Sequence, residues 1–212
     1  MFGRRSVFAV AALFAILGLV GSGADIAIAR SLDLLDPQIK SVFRVISWLG
    51  TYAVYLVAAA LGFLVFRFIR TEESIWRFSL FAFASVAGAS IAVSMLKIGF
   101  GRSRPSALFD GGVHEFVGFT LASGWESFPS GHATVIAAVA TMLALIVPRL
   151  TPLFVGAALA VAAGRVVIGV HYASDAIAGL LLGAICTLFL KDWFGRRRWW
   201  IPSADMRRAP EP

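Results

Sequence analysis

Long apolar runs alternate with short polar connections along most of this chain. Six runs stand out, at about Val7–Ala29, Val45–Phe66, Phe78–Ile98, Gly131–Val147, Pro152–Gly169 and Ser174–Leu190. Each approaches the ~20 residues a helix needs to cross the hydrocarbon of a bilayer. Lipid offers no partners to open backbone groups, so such runs are helical. The pattern predicts an all-α, polytopic membrane helical bundle with six transmembrane helices. One domain covers residues 1–200, and residues 201–212 form a polar, proline-containing tail expected to be disordered on the cytoplasmic side. Ser31–Lys40 is short and mildly amphipathic, a candidate for the outer surface. There is no internal repeat and no low-complexity tract.

Composition agrees. Of 212 residues, 59% are hydrophobic and 15% charged, against about a quarter charged in soluble domains, and mean hydropathy is +0.83. The net charge of +7 would suggest nucleic acid in a soluble protein. Here the basic residues flank apolar runs and form no basic face interleaved with aromatics, so nucleic acid is not an expected partner. The lone Cys186 lies in an apolar run and reads as packing, which leaves no disulfide and no cysteine-based metal site within the chain.

Basic residues also set the orientation. Twelve fall on one side of the predicted spans (Arg4, Arg5, Arg67, Arg70, Arg77, Arg149, Lys191, Arg196, Arg197, Arg198, Arg207, Arg208) and seven on the other (Arg30, Lys40, Arg44, Lys97, Arg102, Arg104, Arg165). Four of the seven belong to the cluster described next. The positive-inside rule then puts both termini in the cytoplasm of a multi-pass plasma (inner) membrane protein. The long connection 99–130 faces outside. Trp193, Trp199 and Trp200 beside Arg196–Arg198 read as an interfacial anchor. Residues 1–29 read as an uncleaved span, although Arg4-Arg5 and the later Ala27-Ile28-Ala29 also fit a signal peptide.

Three places carry charge or histidine where a membrane protein avoids it: Lys97 to Pro105; Pro129-Ser130-Gly131-His132; and Arg165, His171 and Asp175. Ionisable groups at membrane depth are costly unless paired or wet, which makes them functional candidates. The predicted topology brings all three to the same outer face. Several cations meeting there would repel one another unless an anion binds, and phosphate suits them. Ser130 and Gly131 open a helix whose free N–H groups and dipole favour an anion. Arg104 and Arg165 offer bidentate grips, and Lys97 a point charge. His171, with Asp175 four residues on, reads as nucleophile and orienter, and His132 as general acid.

The same residues resemble the three-part signature of the type 2 phosphatidic acid phosphatase superfamily. Lys97, six residues, then Arg104-Pro105 match its first part. Pro129-Ser130-Gly131-His132 match the second, and Arg165, His171 and Asp175 the third. The resemblance implies a helical core acting on lipid or isoprenoid phosphates through a phosphohistidine on His171. It implies Asp175 as partner, His132 as acid, and Lys97, Arg104, Ser130, Gly131 and Arg165 as phosphate-binding residues, with no metal or other cofactor. Gly164 departs from the family's serine, which puts one phosphate or helix contact in doubt. Arg102 is extra, a candidate for a second phosphate or a lipid headgroup. His114 matches no part and reads as loop. A metal trio of His114, Glu115 and Glu126 lacks diagnostic spacing.

The expected activity is hydrolysis of a lipid phosphate or diphosphate in the outer leaflet: phosphatidate, phosphatidylglycerol phosphate, undecaprenyl diphosphate or a lipid A phosphate. Undecaprenyl diphosphate suits an outward site slightly best. Phosphotransfer to a lipid or sugar hydroxyl is a second reading. A non-enzymatic carrier is a third, disfavoured because binding alone needs neither nucleophile nor acid. A vanadium haloperoxidase-like site is disfavoured because those proteins are soluble.

Overall fold

A computed structural model describes Val20 and residues 23–197. The described residues are helical, with two isolated β-bridges in one loop. The α-helices are α1 (Ala24–Asp33), α2 (Pro37–Ser47), α3 (Tyr52–Leu64), α4 (Glu73–Phe100), α5 (Pro105–Gly111), α6 (Gly131–Ile146), α7 (Thr151–Val167) and α8 (Ala173–Arg196). Among the described residues, four helical stretches are long and apolar enough to cross a membrane: Pro37–Ile69, Glu73–Phe100, Pro148–Val167 and Ala173–Arg196. The shorter apolar α6 is a fifth apolar helix.

Several expected boundaries move. The first predicted span lies mostly outside the described residues, as do Arg4, Arg5, Trp199, Trp200 and the tail. Within it, Gly23 takes φ 72° and α1 begins only afterwards. The second run starts earlier than Val45, because Pro37 sits at the first turn and the Asp36 carboxylate accepts from Gln38 N at 2.6 Å; this is a standard helix start. It breaks at Thr51, which is extended (ψ 113°), and ends in a π-turn over Val65–Ile69. The segment 31–40 forms the α1–α2 corner, tied by Lys40 to Asp33 at 3.2 Å.

The core is built around α6. Its residues from Ala133 to Ala140 are all buried. One flank packs on α4 and α8 through Val86, Val135, Val139 and Met142, with Phe81 and Phe194 in edge contact at 5.4 Å. The other packs on α7 through Ile136, Ala140, Ala158 and Val161. Gly179 and Gly183 let α8 lie directly on α6. A Cβ at Gly179 would stand 2.5 Å from the Ser130 carbonyl, and one at Gly183 would overlap the Thr134 carbonyl. Small residues allow this close approach between helices. Large apolar side chains such as Leu61, Ile91, Leu159, Ile185 and Phe189 are exposed on the outside, as lipid-facing surfaces require.

At 16 residues, α6 rises about 24 Å, less than the ~30 Å hydrocarbon core. Its N-terminus is enclosed by the bundle, with Ser130 completely buried. The candidate site sits there.

Candidate active site

Each part of the site hangs on a helix end. Lys97 lies in the last turn of α4, whose amide ladder closes on Gly101 at φ 53°, with Gly101 N donating to Lys97 O at 2.9 Å. Gly101 fits this left-handed position, and a Cβ there would also collide with Gly118. The Lys97 ammonium donates to the Glu126 carbonyl. Arg104 precedes Pro105 at the start of α5 and stands 3.7 Å from Glu126. The connection between them is stitched down: Ser103 N donates to Glu115 O, Arg104 N to Gly124 O and Ser127 N to Arg102 O, at 3.0–3.2 Å.

Ser130 is the N-cap of α6, completely buried, and its N–H donates to the Asp175 carbonyl at 3.0 Å. Gly131 faces the Lys97 stem, which lies 3.9 Å from where its Cβ would be. His132 follows in the first turn, with Gly50 packed on its Cβ. Arg165 is in the last turn of α7. Gly169, at φ 72°, then reverses the chain, and the Arg165 carbonyl accepts from Val170 N and His171 N, both at 3.2 Å. Gly169 therefore serves the turn. Nothing stands within 4 Å of its Cβ position, so it makes no close helix contact. Gly164 faces α2: a Cβ there would meet Ser47 Oγ at 3.2 Å and the Phe43 carbonyl at 3.3 Å. The departure from serine is a helix contact.

Lys97, Arg104, His132, Arg165 and His171 lie close enough to one another to interact electrostatically. The three segments picked from sequence thus converge. His171 is 3% exposed, and its Nδ1 is 3.6 Å from Asp175 Oδ2. Burial pushes the His171 imidazole down to about 4, helped by Lys97 and Arg165, and Asp175 recovers only part of the loss. The ring is therefore neutral near pH 7.

Behind Asp175 the structure holds groups that sequence reasoning passed over. Asp175 Oδ2 accepts from Ser127 Oγ at 2.6 Å and Tyr172 N at 2.9 Å, and Oδ1 accepts from Arg102 at 2.5 Å. Arg102 was expected at a second phosphate or headgroup. It is instead fully buried, bridging Asp175 to Asp25 of α1 at 2.8 Å. His114 lies in the loop as expected, yet its Nε2 is 2.9 Å from Arg102. Arginine can only donate, so that nitrogen accepts, and burial and the Arg102 charge both hold His114 below its ordinary value. Asp25 carried a readable signal: it is the one charged residue in the first predicted span, where a carboxylate is a functional candidate.

Two cavities meet at Lys97. One of about 550 Å³ runs between Tyr52, Ile91, Met95, His132 and Val135; the other, of about 350 Å³, is bounded by Thr120, Ser123, Trp125 and Glu126.

A helical membrane bundle with a recessed, cationic, two-histidine site defines a class of integral-membrane phosphate-handling proteins. The PAP2 superfamily model matches residues 78–199, and the chain belongs to that superfamily. It is 38% identical over 116 residues to the lipid A 1-phosphatases of Rhizobium johnstonii and Rhizobium etli, covering 55% of this chain and 48% and 50% of theirs. The chain's match thus spans about half the length of these curated relatives. Among solved structures it is similar to the first transmembrane PAP2 type phosphatidylglycerolphosphate phosphatase from Bacillus subtilis (TM-score 0.62, 25% identity, 88% of this chain and 96% of that one). The fold is also that of Aquifex aeolicus LpxE (TM-score 0.58, 22% identity, 79% and 94% covered).

Proposed function

We propose that the chain is a lipid phosphatase working through a phosphohistidine on His171, with its site facing the periplasm or exterior and both termini in the cytoplasm. One observation carries the reading. Ser130 Oγ and Arg165 Nε are buried donors without a hydrogen-bond partner among the described residues, and Arg104 Nε has only the Glu126 carboxylate at 3.7 Å, beyond hydrogen-bond reach; Arg104 and Arg165 both act on the His132 charge beside His171. Buried donors are normally satisfied, and a phosphoryl group would satisfy these three together. Lys97 and the N–H groups opening α6 add to the grip.

With Asp175 beside Nδ1, the other nitrogen of His171, Nε2, attacks phosphorus in line. The bond from phosphorus to the lipid oxygen breaks, and His132 gives that oxygen its proton. Water then attacks the phosphohistidine, passing a proton back to His132. The P–N bond breaks and inorganic phosphate leaves. Charge developing on the phosphoryl oxygens is met by fixed cations that need no reorganisation.

The larger cavity is mostly apolar and suits acyl chains. The smaller one carries hydroxyls, Trp125 and Glu126, and suits a polar headgroup. The two Rhizobium relatives favour lipid A 1-phosphate over undecaprenyl diphosphate, and the Bacillus structure makes phosphatidylglycerol phosphate the next candidate. Phosphate release by purified protein from these lipids and phosphatidate, with EDTA present, tests the reading. Metal-independent release from one of them supports it. Tight lipid binding without release would favour a carrier, and transfer to an added hydroxyl acceptor a phosphotransferase. A reporter fused after Pro212 should be cytoplasmic; an external signal would invert the site.

A further inference from the structure

The buried group behind Asp175 contains more charge than packing requires. Arg102 has no exposure, nor do the two carboxylates it bridges. Its guanidinium carbon lies 4.3 Å from the Tyr172 ring centre and 4.8 Å from that of Phe116. Asp25 Oδ1 accepts from Ser174 N at 3.0 Å, and Oδ2 accepts from Ser174 Oγ and from Arg102. Asp25 thus caps α8 from another helix and shares Arg102 with Asp175. The arrangement runs Asp25, Arg102, Asp175, His171.

Charge counting shows what Asp25 adds. Arg102 alone would neutralise Asp175 and leave His171 facing an ion pair with no net charge. With Asp25 present, the two carboxylates and one guanidinium sum to a single negative charge. When His171 bonds to phosphorus its ring becomes positive, and that negative charge is its counterion. Lys97 on α4, Arg165 on α7 and His132 on α6 face His171 from the other sides, and the two cations oppose its positive form. His114 and Tyr172 also sense Asp25.

We propose that Asp25 is a positioning residue for the His171–Asp175 pair: by occupying Arg102, it keeps Asp175 net anionic toward the histidine and holds the start of α8 in register. This rests on the phosphohistidine reading for its catalytic consequence, though its effect on the histidine itself can be read without turnover.

The test follows the ring signals of the three histidines by NMR in full-length protein in detergent, assigned with His114→Gln and His132→Gln variants. Asp25→Asn should lower the His171 titration by about one pH unit, the size of a unit charge acting over roughly 10 Å at an effective dielectric near 20. It should also lower kcat about tenfold with KM little changed, and Asp25→Glu should restore both. A folded Asp25→Asn protein with an unmoved His171 titration overturns the proposal, whatever its melting temperature. If Asp25→Asn does not fold, the Asp25→Asn/Arg102→Gln pair decides. Removing both charges leaves Asp175 anionic toward His171, and removing both members of a buried pair costs less than stranding one. A folded double variant with a His171 titration near that of the parent supports the proposal. One that fails to fold, or titrates elsewhere, overturns it. Loss of the His171 dependence of turnover, with the titration shift intact, would overturn the phosphohistidine reading and leave this one standing.

Discussion

His171, in the loop before α8, and Asp175, in its first turn, stand four residues apart, with Nδ1 3.6 Å from Oδ2, and the carboxylate is already pinned by Ser127, Tyr172 N and Arg102. The histidine therefore meets a fixed anion. Under the proposed mechanism, that leaves Nε2 as the attacking nitrogen. His171→Ala should abolish turnover in a folded protein. Asp175→Asn should cost on the order of 10⁴-fold in kcat, the loss when the aspartate of a Ser-His-Asp triad becomes an amide. Steady-state kinetics on the preferred lipid checks both, and substantial residual rate in His171→Ala would remove it as nucleophile.

His132 opens α6 beside Arg165 and His171, where a leaving oxygen would need a proton. A positioned acid contributes about 10²–10⁴-fold. His132→Gln should lose that much on a lipid alkoxide and far less on p-nitrophenyl phosphate, whose leaving group needs little protonation. Equal losses on both substrates would assign His132 to binding.

The burial of His171 also sets a pH dependence. Its folded value, about 4, lies below the ordinary 6.5. Between those values the unfolded chain binds the extra proton, so stability falls as pH drops from about 6.5 through 4, with a slope approaching 1.4 kcal/mol per pH unit. Thermal melts in detergent should show a steeper acid loss for the parent than for His171→Asn. The His171 limb of kcat/KM should likewise lie well below pH 6.

Close packing links fold to chemistry at Gly179. A Cβ there would press on the Ser130 carbonyl and lie 3.0 Å from Ala133 Cβ, so α6 would have to move at the end that carries Ser130 and His132. Overpacking of this kind costs about 1–3 kcal/mol. Gly179→Ala should lower both melting temperature and kcat, whereas Gly156→Ala, inside α7 with open space around it, should leave kcat unchanged and hold or raise the melting temperature.

The cations and histidines were legible because each breaks an apolar pattern, and the helices because lipid leaves the backbone no alternative. What stayed hidden was pairing. Nothing in the spacing of Arg102 separates a residue that grips substrate from one buried between two carboxylates. Its partner Asp25 lies 77 positions away, and contacts at such separations leave no local periodicity. Ser127 and Ser174 are ordinary small residues until Asp175 and Asp25 are placed against them. Gly164 and Gly169 are five positions apart and look alike in sequence, but one faces α2 and the other turns the chain. The helix break at Thr51 was equally silent, since Trp48-Leu49-Gly50 continues an apolar run.

The phosphate grip can be tested without any lipid. If Arg165, Arg104 and Ser130 together hold a phosphoryl group, inorganic phosphate should bind the resting protein and raise its melting temperature by linkage. The gain should approach about 2.7 kcal/mol at a hundred times the dissociation constant. Arg165→Gln should remove most of that shift. Arg165→Lys should keep a part, since lysine supplies charge but no planar fork. A shift of equal size in parent and Arg165→Gln would take Arg165 out of the phosphate site and leave it as a structural end to α7.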